Sequence, residues 1–90
     1  MSRYFIEVFG RVQGVGFRYF VEYTARAFHI TGWVKNSEGG SVLIEAQGMN
    51  DNVTLFINEV KKGNRFAKVE DITCREIELI SKEKNFRVIY

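Results

Sequence analysis

The sequence predicts an α+β fold, an antiparallel sheet of four to five strands with two helices on one face. Two observations carry this. Apolar residues switch from a two-residue to a helical period twice, in the order strand, helix, strand, strand, helix, strand, strand. The connections are short and mostly glycine-bearing, and the chain has no proline to break an element or slow folding by isomerisation. Ninety residues make one domain over residues 1–90, with a single core and little reserve.

The elements follow in order. Tyr4 to Phe9 alternates, with Tyr4, Ile6 and Val8 on one side and Phe5, Glu7 and Phe9 on the other. A helix starts near Phe17 and buries Phe20, Val21, Thr24, Ala25 and Phe28. It ends around His29, a residue type that tolerates left-handed backbone. Ile30 to Asn36 and Ser41 to Gly48 form two strands joined by the hairpin Ser37-Glu38-Gly39-Gly40. Val42, Ile44 and Ala46 face inward, and Leu43, Glu45 and Gln47 face outward. Asn50 or Asp51 caps a second helix, which buries Val53, Phe56, Ile57 and Val60 and stops near Lys62 at Gly63. Ala67 to Ile80 contains a strand with Asp71 at a bulge and Cys74 as a small core side chain. Phe86, Val88 and Tyr90 mark the last strand. This order is a split β-α-β pair, the ferredoxin-like arrangement.

Composition narrows the function. A hydrophobic share of 46% excludes disorder. No apolar run approaches the ~20 residues of a membrane span, and no signal-like segment opens the chain, so a soluble cytoplasmic protein is expected. With one cysteine and one histidine, no disulfide and no metal-ligand cluster can be read, and no cofactor is expected. A net charge of +2 is too small to imply nucleic-acid binding.

Gly10-Arg11-Val12-Gln13-Gly14-Val15-Gly16-Phe17-Arg18 lies between the first strand and the first helix. Its glycines allow close approach of a ligand, and the helix start leaves backbone N–H groups free beside the positive end of the dipole. That geometry suits a phosphate, and Arg18 could grip its oxygens in pairs. The spacing is neither the dinucleotide pattern nor a P-loop. A second segment, Gly32-Trp33-Val34-Lys35-Asn36 followed by Gly40, Val42 and Gly48, places Asn36 at a strand end. An asparagine there can also serve turn chemistry alone.

Together the two segments resemble the acylphosphatase family, matching G-x-V-Q-G-V-x-F-R and G-W-V-x-N-x-x-x-G-x-V at every specified position. The family commonly carries glycine where this chain has His29, and it leaves the Gly16 position variable. The resemblance implies hydrolysis of small-molecule acyl phosphates to a carboxylate and inorganic phosphate, without a metal. It implies that the Arg18 side chain and the backbone N–H groups of Gln13, Gly14, Val15, Gly16, Phe17 and Arg18 hold the phosphoryl group, and that Asn36 positions water. Inorganic phosphate is then an expected competitive inhibitor, and a monomer is the expected state. Two other readings are a catalytically silent regulatory domain and an RNA-binding sheet using Phe5, Phe9 and Trp33.

Overall fold

Seven elements organise the chain in a computed structural model that describes residues 1–90: β1 (Ser2–Arg11), α1 (Phe17–Ala27), β2 (Thr31–Asn36), β3 (Val42–Gly48), α2 (Asn50–Lys62), β4 (Lys68–Ile77) and β5 (Phe86–Ile89). The strands form one sheet in the order β4-β1-β3-β2-β5. β3 lies between β1 and β2 and is antiparallel to both, and β4 is antiparallel to β1. The fifth strand departs from the antiparallel expectation, since β5 runs parallel to β2, with Gly32 opposite Phe86. Alternation of apolar residues carries no strand direction. The direction here follows from the chain between β4 and β5, which crosses to the far edge of the sheet.

The core lies between the sheet and the two helices. Ile6 and Val8 of β1, Val34 of β2 and Val42, Ile44 and Ala46 of β3 meet Phe17, Val21 and Ala25 of α1 and Val53, Phe56 and Val60 of α2. Each large side chain in this set contributes about 1.5–3 kcal/mol by leaving water. α1 ends as expected. His29 is left-handed at φ 57°, and the N–H groups of His29 and Ile30 donate to the carbonyls of Arg26 and Ala25. α2 ends at Gly63, whose φ is 72°.

Three further expectations need correction. The cap of α2 is neither Asn50 nor Asp51 but Met49, which is extended and offers no side-chain hydrogen bond. The helix bends into its first turn one residue earlier than the polar pair suggests, and Asp51 sits inside that turn. Cys74 is exposed rather than in the core, because β4 is an edge strand that the helices do not fully cover. Partial burial still pushes its thiol up, against a downward pull from Lys61. Gln47 does not face solvent; it is buried on the sheet face opposite the core.

Gln47 belongs to a polar cluster under the β4–β5 connection. Arg3 is fully buried there, donating to Glu45 at 2.9 Å, to Gln47 Oε1 at 3.1 Å and to Glu83 at 2.7 and 3.3 Å. The Gln47 amide also accepts from Ile80 N–H and donates to Ile80 C=O, both at 2.9 Å, as a neighbouring strand would. The expected bulge is present one residue from Asp71, where the register shift opposite Phe9 and Gly10 leaves Glu70 without a partner.

Candidate active site

The site forms where β1, α1, β2 and β5 end beside one another. Val12 is buried and anchors the start of the loop between β1 and α1. Gly14 and Gly16 both adopt left-handed backbone, at φ 72° and 74°. A Cβ on either would have room, so the conformation, not crowding, calls for glycine. Gly16 is the cap of α1, which has no side-chain cap and no acidic residue in its first turn. The N–H groups from Gln13 to Phe17 accordingly have no acceptor in the protein.

Arg18 is half-buried and unpaired by any carboxylate. Its guanidinium lies over the Tyr90 ring, 4.9 Å from the centroid, and makes one long hydrogen bond of 3.4 Å to Ile89 C=O. Most of its donors stay free. The Tyr90 hydroxyl donates to that of Tyr19 at 3.4 Å, a contact that holds the Tyr90 phenol above its ordinary value.

Asn36 closes β2. Its Oδ1 is buried and has no hydrogen-bond partner. The adjoining hairpin is satisfied without it: Ser37 N–H donates to Ser41 C=O at 2.9 Å, and the two serine hydroxyls meet at 2.7 Å. Ser41 in turn donates to Glu7 at 2.6 Å. Turn chemistry therefore does not use the Asn36 carbonyl, and a buried acceptor left open costs stability.

Two side chains tie these parts together. Gln13 Nε2 donates at 2.8 Å to both Ser37 C=O and Ser41 C=O, bracing the loop against the hairpin that carries Asn36. Asn64, on the connection between α2 and β4, donates to Val15 C=O at 2.9 Å. Gly14, Gly16, Phe17, Arg18 and Asn36 line one cleft of about 150 Å³, walled by Tyr19, Val88 and Tyr90. A wider hollow of about 460 Å³ joins it at Arg18, Asn36 and Tyr90 and adds Lys35, Leu43 and Ile89.

Of the residues expected at the site, Gly14, Gly16, Phe17, Arg18 and Asn36 thus share the cleft. Gln13 acts as a brace, and Val15 packs against the core. Sequence reasoning missed Tyr19, Val88, Ile89, Tyr90 and Asn64. A tyrosine next to Arg18 was a local signal for the first; Val88, Ile89 and Tyr90 reach the cleft, and Asn64 the loop, through tertiary structure alone. No group of three or more His, Cys, Asp or Glu side chains stands where it could hold a metal ion. No helix is long and apolar enough to cross a membrane.

Known proteins resemble this chain along its whole length. The acylphosphatase family model matches residues 4–88. An acylphosphatase of Clostridium acetobutylicum is 53% identical over 90 residues, covering 100% of this chain and 99% of its own. The crystal structure of acylphosphatase from Bacillus subtilis superposes with a TM-score of 0.95 at 43% identity over the full length of both chains. Full-length HypF, solved in a phosphate- and nucleotide-bound form, matches with a TM-score of 0.85 at 32% identity, covering 99% of this chain and 12% of that one.

Proposed function

Because this chain belongs to the acylphosphatase family and hydrolyses acyl phosphates, we propose that the phosphoryl group binds between Arg18 and the free N–H groups of Gln13 to Phe17, with the attacking water on Asn36. The observation that carries this reading is the buried, unpartnered Asn36 Oδ1 in the same cleft as Arg18. A carbonyl oxygen there can accept a hydrogen bond from a water and hold its lone pair toward phosphorus.

The chemistry asks for little more. A mixed carboxylic–phosphoric anhydride expels a carboxylate, a weak base, so no general acid is needed. The transition state is loose, with charge spread over the phosphoryl oxygens. Fixed N–H dipoles and one planar guanidinium stabilise that charge without reorganising. Water adds to phosphorus, the P–O bond to the acyl group breaks, and carboxylate and inorganic phosphate leave. The smaller cleft holds no carboxylate or imidazole and Glu38 lines only the hollow beside it; in this reading the proton of the water passes to a phosphoryl oxygen.

Steady-state hydrolysis of benzoyl phosphate tests the reading. Turnover should persist in excess EDTA, and inorganic phosphate should inhibit competitively. Loss of activity restored by a divalent ion overturns the metal-free mechanism; non-competitive inhibition moves the anion away from Arg18. The working state in this reading is a cytoplasmic monomer with one domain over residues 1–90. Sedimentation should then give a single 10.5 kDa species.

A further inference from the structure

We propose that Asn64 is a positioning residue for the phosphate loop, aiming the Gly16 N–H into the cleft. The inference rests on the phosphate site proposed above and adds a residue outside both sequence motifs. Asn64 lies 49 positions from Val15 in the chain, yet its Nδ2 donates to Val15 C=O at 2.9 Å. Its Oδ1 is held in turn by the N–H groups of Ala67 at 2.8 Å and Phe66 at 3.3 Å. Both ends of the amide are engaged, so its orientation is fixed by the α2–β4 connection.

The consequence follows from peptide geometry. The Val15–Gly16 bond is trans and planar, so its C=O and N–H point in opposite directions. Fixing Val15 C=O toward Asn64 turns Gly16 N–H away from it. Gly16 lines the cleft, its N–H has no acceptor in the protein, and with no Cβ at this residue the peptide can rotate unless something holds it. Asn64 supplies that hold. Without it the plane can flip, which would present a carbonyl oxygen to an anion.

Two variants separate positioning from folding. Asn64→Asp keeps an oxygen for the Phe66 and Ala67 N–H groups but loses the donor to Val15. Asn64→Ala loses both. The denaturation midpoint of Asn64→Asp should stay near that of the parent, while kcat/KM on benzoyl phosphate falls about a hundredfold, the lower end of the scale for losing one preorganised donor. Asn64→Ala should lose as much activity and some stability as well. Because aspartate also adds charge, the loss should be the same at low and high salt and be shared by the uncharged alanine variant.

Backbone amide NMR during titration with inorganic phosphate supplies the readout that a structural role would not move. In the parent, the Gly14, Gly16 and Arg18 amides should all shift. In both variants the Gly16 response should collapse while those of Gly14 and Arg18 persist. A folded Asn64→Asp variant with parental kcat/KM and a parental Gly16 response overturns the assignment. If no loop amide of the parent responds to phosphate, the phosphate site itself is wrong, and the role of Asn64 falls with it.

Discussion

Arg18 and Asn36 share a cleft but should fail differently when replaced. Arg18→Ala is expected to weaken both phosphate affinity and turnover, since the guanidinium would meet the phosphoryl oxygens in ground and transition states alike. Arg18→Lys should recover little, because a point charge cannot reproduce paired planar donors. Asn36→Ala should leave phosphate affinity near the parental value and lower kcat by ~10²-fold, the scale for losing one preorganised polar group. Phosphate affinity by calorimetry, kcat on benzoyl phosphate and a denaturation midpoint for each variant decide the matter. A folded Asn36→Ala enzyme with full kcat removes the water-holding role. Both residues were legible because each sits in a short motif beside its turn. Tyr90 was not, since it meets Arg18 from 72 positions away, and only the β2–β5 pairing brings it there. Cys74 misled because alternation marks the face of a strand but not whether anything covers that face.

Among the elements, the loop before α1 and the β2–β3 hairpin work as one piece through Gln13. Gln13→Ala removes two hydrogen bonds to backbone carbonyls, so a loss of about 1–3 kcal/mol is expected. It should also reduce kcat and phosphate affinity together, unlike Asn36→Ala, because loop and hairpin lose their common register. Parental kinetics in a folded Gln13→Ala protein would show that the two parts hold their positions separately. α2 offers a gain instead. Met49 already has the extended backbone of a cap, and its carbonyl accepts from Val53 N–H at 2.9 Å, but its side chain bonds nothing. Met49→Ser should raise stability by about 0.5–1 kcal/mol in denaturant unfolding, with no change in kcat. Helix extents were legible from the spacing of Val21, Ala25, Val53, Phe56 and Val60. Caps were not, because Asn50 and Asp51 have the chemistry of a cap without its place.

For the molecule as a whole, the split β-α-β order was readable from periodicity, while the buried Arg3 cluster was hidden. An arginine on an alternating strand looks solvated until the β4–β5 connection folds over it. Burial alone would raise the Glu83 carboxyl, yet hydrogen bonding from Arg3 and Thr31 and the charges of Arg3 and Arg87 together outweigh that and hold it below its ordinary 4.5. A lowered carboxyl contributes stability in full above about pH 4.5 and loses it as pH falls through the folded value. Glu83→Gln should therefore cost about 2 kcal/mol at pH 7, less than a fully broken buried pair because Glu45 remains. The gap in denaturation midpoint between parent and variant should narrow as pH drops below 4.5; a gap independent of pH would show that packing, not charge, anchors the connection. The edge strand β4 carries a different consequence, one of dispersal. Ten residues of unpaired edge invite another chain to add a strand. Here five of the ten are charged, Lys68, Glu70, Asp71, Arg75 and Glu76, and the bulge at Glu70 twists the edge away from a flat template. The opposite edge, β5, is only four residues long. A concentrated solution of the protein should therefore scatter light weakly, and replacing Glu70 and Glu76 by valine should make it cloud on mild heating, before the fold itself melts.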